Sequence, residues 1–92
     1  MDTRTHIEER LREAFAPVIE LDVIDQSAAH AGHAGAREGG GHFHVIVVAE
    51  AFEGKSPVQR QRAVYQALSD EMQSSIHALS MNCMSPAEYD AD

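Results

Sequence analysis

Apolar residues recur along this chain at two different periods. Ile7, Leu11, Ala14 and Phe15 fall three and four apart, the helical spacing, and Thr5 with Glu8 forms a capping-box pattern at the start. Pro17 stops that helix or follows its end. From Val18 to Asp25 the period drops to two, with Ile19, Leu21 and Val23 on one face and Glu20 and Asp22 on the other, the pattern of a half-buried strand. His42 to Ala49 is rich in β-branched residues and apolar on both faces: Phe43, Val45 and Val47 against His44, Ile46 and Val48. Such a segment predicts a central strand with neighbours on both sides.

The second half repeats the alternation of helix and strand. Glu53-Gly54-Lys55 is a turn, Ser56 reads as an N-cap, Pro57 as the first helical residue, and Gln59 completes a second capping box. Val64, Tyr65, Leu68 and Met72 give this helix its buried stripe, and Arg60 and Arg62 are expected near its start, largely solvated. A third strand runs from about Ile76 to Cys83, and Ser85-Pro86-Ala87-Glu88 starts a last short helical turn. No internal repeat is apparent. The order helix, two strands, helix, strand predicts an α+β sandwich: a three-stranded sheet with helices on one face.

Between the first two strands lies Ser27 to Gly41, alanine- and glycine-rich, with no large apolar residue to anchor it. Its length, about 15 residues, approaches the limit for a structureless loop in a compact domain, and loops of that length are commonly functional or mobile. We therefore expect one domain over residues 1–92, with a flexible His/Gly-rich loop at 27–41 and a short acidic C-terminal segment at 85–92.

Charge narrows the function classes. The formal net charge of -8 disfavours non-specific attraction to nucleic acid or anionic membrane. Nothing after Arg62 is positively charged, whereas Asp70, Glu71, Glu88, Asp90 and Asp92 follow, so the C-terminal third is acidic. The single cysteine, Cys83, excludes an intramolecular disulfide framework and a four-cysteine zinc site, and fits a reducing compartment. Met1 to Arg10 is charged and lacks the apolar core of a signal peptide, and no apolar run approaches the roughly 20 residues that span a bilayer. The expectation is a cytoplasmic protein without membrane contact.

Several motifs reduce to structure. Gly54-Lys55-Ser56 follows a strand and opens a helix as a phosphate-binding loop would, but the glycine required five residues before Gly54 is Ala49. A turn and a cap explain the three residues. Ser27 and His77 lack a nucleophile-elbow sequence around them, and Cys83 lies in an apolar strand with no positive neighbour in sequence to lower its pKa. Lys55, Arg60 and Arg62 cluster at a helix start; they are the candidate nucleic-acid contacts, set against the reading of a solvated helix end.

Histidine carries the sharper chemistry, because neutral imidazole is the side chain most often recruited to a metal. Of the six histidines, His30 and His33 are separated by Ala-Gly in the loop, His42 and His44 share one face of a strand, and His77 opens the apolar run Ile76-His77-Ala78-Leu79-Ser80. His77 shares its expected strand face with Leu79 and Met81, so a metal ligand and a partly buried histidine bonded to backbone both fit its spacing. A structural zinc site wants four ligands, and no thiolate lies near these histidines in sequence; another chain or a small molecule would complete the coordination.

Taken together these stretches resemble the BolA family. Val23-Ile24-Asp25-Gln26-Ser27 followed by a histidine-bearing loop is similar to the family's first strand and variable loop, and Gly41-His42-Phe43-His44-Val45-Ile46-Val47-Val48 to its second strand. Phe52-Glu53-Gly54-Lys55-Ser56-Pro57-Val58-Gln59-Arg60, with Arg62, Val64 and Tyr65, is similar to its turn and long helix, and Ile76-His77-Ala78-Leu79-Ser80 to its most characteristic segment. Gln61 departs from the pattern, standing where the family commonly has histidine between two arginines, so no role is carried over to that position.

The resemblance implies an α-β-β-α-β fold similar to a class II KH domain. It also implies a heterodimer with a monothiol glutaredoxin around a shared [2Fe-2S] cluster, in which the glutaredoxin supplies a cysteine and holds glutathione. On this sequence His77 is then the expected cluster ligand, His30 the loop ligand with His33 as its near competitor, and His42 a supporting residue. No cofactor is expected in the isolated protein, which would be a monomer or weak homodimer. The resemblance further carries a rival, a transcription regulator that binds DNA, which the net charge disfavours.

Overall fold

A computed structural model describes residues 3–26 and 41–90. The elements follow in the order α1 (Thr3–Phe15), β1 (Val18–Asp25), β2 (Gly41–Ala49), a single 3-10 turn (Glu50–Phe52), α2 (Pro57–Ala67), α3 (Ser69–Ser74), β3 (Ile76–Met84) and α4 (Pro86–Asp90). The sheet order is β1-β2-β3, which puts the doubly apolar strand in the middle as its pattern requires. β1 pairs antiparallel with β2, while β2 and β3 run parallel. A parallel pair needs a long crossover, and α2 with α3 supplies it.

The core forms where one face of this mixed sheet meets the helices. Phe43, Val45 and Val47 of β2 and Leu21 and Val23 of β1 pack with Ile7, Leu11 and Phe15 of α1, with Phe52, and with Val64 and Leu68 of the crossover. The Phe15 and Phe52 rings meet at 4.9 Å between centroids. Burying each such side chain stabilises the fold by about 1.5–3 kcal/mol. On the opposite face β2 carries His42, His44 and Ile46, all half-buried. Among the described residues no helix is long and apolar enough to cross a membrane.

Local signals account for most boundaries. The Ser56 hydroxyl accepts from the Gln59 amide and the Gln59 side chain accepts from the Ser56 amide, so the capping box is formed, with Pro57 beginning the helix. Gly54 adopts a φ of 76°, the left-handed conformation a turn at this point requires.

Five expectations need correction. α1 begins at Thr3, so Thr5 lies in its first turn rather than at its cap. Ala14 is exposed beside the buried Ile7, Leu11 and Phe15, a single methyl that demands little burial. Ile19 is 52% exposed, because the β1–β2 register slips between Val18 and Glu20 and turns the intervening residue out of the alternation. The second helix is two, divided at Leu68, whose φ of -107° and ψ of 20° leave the helical region. Tyr65 on this crossover is exposed rather than part of the buried stripe.

Candidate metal centre

β3 enters the sheet irregularly. Gly41 pairs with Ile76, but His42 pairs with Ala78, so β3 has one residue more than β2 at this point, and that residue is His77. The consequence is a change of face. Ile76 is buried in the core; after the bulge Leu79, Met81 and Cys83 pack against that core. Regular alternation from Leu79 would turn His77 toward the helices with it, whereas His77 is exposed. The expectation that His77 shares a face with Leu79 and Met81 is thus corrected by a register break.

The bulge brings His77 beside His42, with ring centroids 5.2 Å apart and planes inclined at 42°. The strands hold this corner from both sides. The Gln26 amide donates to the His42 carbonyl at 2.7 Å, and the Gly41 amide donates to the Ser75 carbonyl at 2.8 Å. His44, two residues along β2, lies 2.6 Å from the Ser80 hydroxyl through Nδ1, which fixes its ring across the β2–β3 pair. His42 and His44 share a face as the period predicts. His30 and His33 lie outside the described residues. Among the described residues no group of three or more metal-ligating side chains converges, and the His42–His77 pair is what the fold brings together of the candidate ligands.

The basic cluster at the start of α2 separates into unlike parts. Lys55 and Arg62 are exposed, while Arg60 is only 8% exposed, contrary to the expectation of a solvated residue. Its Nη1 donates to the Cys83 carbonyl at 3.1 Å and to Glu88 Oε1 at 2.6 Å, and its Nη2 to Glu88 Oε2 at 3.3 Å. The guanidinium carbon lies 6.0 Å from the Phe52 ring centre. A guanidinium so engaged is not offered to a phosphate.

Glu88 is itself held by a cap. The Ser85 amide donates to Oε1 at 2.8 Å, and the Glu88 amide donates to the Ser85 hydroxyl at 3.3 Å. The Arg60 hydrogen bonds, with this cap, pull the carboxyl down to about 2. The S-x-x-E spacing of Ser85 and Glu88 is a capping-box signal legible in the sequence. Its ion pair with Arg60, across 28 positions, is not.

Burial pushes the Cys83 thiol up to about 11, outweighing Arg60, which pulls it down. The sequence suggested no positive neighbour; the fold provides one, and desolvation still wins. The lone thiol is therefore a poor nucleophile at neutral pH.

These features coincide with a known family. Residues 11–88 match the model of the BolA-like protein family, and the chain belongs to that family. It is 46% identical over 87 residues to SufE-like protein 1 of Arabidopsis thaliana, covering 89% of this chain and 23% of that protein. With the DNA-binding transcriptional regulator BolA of Escherichia coli it shares 37% identity over 90 residues, 98% of this chain and 82% of the relative. The solved structure of BolA1 from Arabidopsis thaliana superposes with a TM-score of 0.82 at 36% identity, covering 96% of each chain. The chain spans only part of some relatives: 23% of the SufE-like protein and 58% of the mouse BolA-like protein 1.

Proposed function

We propose that this chain is a non-enzymatic adaptor that pairs with a monothiol glutaredoxin and co-ligates a [2Fe-2S] cluster through histidine, in iron-sulfur trafficking or iron-status regulation. The observation that carries this reading is the bulge that takes His77 out of the strand alternation and leaves its imidazole exposed. Bulges recur beside functional sites because they re-aim a side chain. The donor set fits such a group. A [2Fe-2S] cluster takes four protein-side ligands, and this chain offers histidine for part of them, leaving the remainder to a partner's thiol and glutathione.

In this reading His77 is one ligand, His30 or His33 the other, and His42 supports His77 across the bulge. Imidazole in place of thiolate makes a cluster easier to release on protonation and raises its potential. That suits handing on or sensing a cluster rather than storing it. Cys83, half-buried with its pKa raised, is not a ligand. A reducing, cytoplasmic setting accords with the single unpaired thiol, although the Arabidopsis relative is named for chloroplast and mitochondrion. The test is to mix the chain with a monothiol glutaredoxin, glutathione, iron and sulfide, and compare visible absorption with the glutaredoxin alone. A new spectrum at one-to-one stoichiometry supports the adaptor; no change on mixing removes it.

The second reading, a DNA-binding regulator, is favoured by the name of the Escherichia coli relative. The net charge of -8 and the engagement of Arg60 weigh against it, leaving Lys55 and Arg62 as the exposed cations of that helix start. Affinity for duplex DNA measured at several salt concentrations separates the two. A steep logarithmic slope means phosphate contacts, and a flat one removes this reading.

A further inference from the structure

The geometry of the His42–His77 pair points to a mononuclear zinc site in the isolated chain: we infer that both imidazoles bind one Zn²⁺ directly, with no partner protein. Two imidazoles on a tetrahedral ion place each nitrogen about 2.0–2.1 Å from the metal, and each ring centre lies about 1.1–1.2 Å behind its nitrogen. At the tetrahedral angle of roughly 109° the two ring centres are then about 5.2 Å apart. The observed separation is 5.2 Å. The inclination of 42° between the rings is no obstacle, because each plane turns about its own metal–nitrogen bond without altering that separation.

The surroundings suit a labile ion. His77 is exposed and His42 half-buried, so Zn²⁺ reaches the pair from solvent and water fills the remaining positions. Both histidines sit on strands held by backbone hydrogen bonds, Gln26 to His42 and Gly41 to Ser75, so little order is lost on binding. Among the described residues no third histidine, cysteine or carboxylate joins the pair in a metal-binding group, and imidazole favours zinc over magnesium or calcium. On the adaptor reading, Zn²⁺ and the cluster exclude one another at His77, so free zinc withholds the chain from its partner.

The experiment is calorimetric titration of ZnCl₂ into the untagged, isolated chain and into three variants. The site predicts one Zn²⁺ per chain, weakened at least roughly tenfold by His42→Ala and by His77→Ala and little changed by the loop double variant His30→Ala/His33→Ala. Nitrogen-15 spectra of the wild-type imidazoles, which need no variant, should show both His42 and His77 shifting with added zinc. No binding, or binding that survives His42→Ala and is lost in the loop variant, overturns the site and leaves the two rings as a packing contact. Because the titration contains no glutaredoxin, its failure leaves the cluster reading standing, and failure of cluster assembly leaves the zinc site standing.

Discussion

At its N-terminal end β3 breaks register with β2, and His77 stands exposed beside His42; at its C-terminal end the Cys83 carbonyl is bonded to a buried Arg60 that also grips Glu88. Both ends belong to one uncharged strand, Ile76-His77-Ala78-Leu79-Ser80-Met81-Asn82-Cys83-Met84. The first end leaves a donor group in solvent with few ties, and the second encloses a charge and pairs it with Glu88. Residue type alone misleads here. An arginine near a helix start suggests a binding surface and a histidine in an apolar run suggests a core residue, whereas the fold uses the arginine for cohesion and exposes the histidine. Exposure without a structural task is what a ligand needs.

The largest effect should come from breaking the enclosed end. Arg60→Ala leaves the Cys83 carbonyl and the Glu88 carboxylate without their shared donor and removes packing over Phe52, which should cost about 2 kcal/mol or more in urea unfolding. Arg60→Lys should recover only part, since an ammonium does not replace a two-pronged fork. A stability equal to that of wild type would mean the clasp is ornamental.

Next in size is the thiol. With its pKa near 11 against an ordinary 9.0, folded Cys83 carries about 100-fold less thiolate at pH 8, and alkylation by iodoacetamide should slow accordingly relative to the urea-unfolded chain. Equal rates would show that this end of β3 opens readily.

A smaller effect is expected from acid. The Glu88 pKa lies near 2 in the folded protein, below its ordinary 4.5, so its contribution is present at neutral pH and fades as pH falls from about 4.5 toward 2. Glu88 is half-exposed, and solvent screens part of that contribution. Glu88→Gln should therefore flatten a portion of the acid limb of stability against pH. An unchanged limb would place the acid sensitivity in other carboxylates.

How much of this was legible follows from how local each feature is. The helices, the three strands, the turn at Gly54 and the Ser56–Gln59 cap are set by neighbours in sequence, and their patterns anticipate the structure within a few residues. The turned-out Ile19, the bulge at His77 and the clasp at Arg60 arise from pairing between distant segments, for which no local pattern exists. His77 and His42 were recognisable as donors by type, but their proximity is a product of the register break. His30 and His33 lie outside the described residues, so the choice between them as the proposed loop ligand rests with substitution.

On the proposed function the exposed end of β3 serves chemistry and not stability, and one variant tests both halves. His77→Ala should unfold within about 0.5 kcal/mol of wild type in urea, as a surface substitution does. The same preparation, mixed with a monothiol glutaredoxin, glutathione, iron and sulfide, should lack the visible circular dichroism of a histidine-ligated cluster that is expected of the wild-type chain. A cluster spectrum unchanged in His77→Ala, or a variant destabilised by several kcal/mol, contradicts the account.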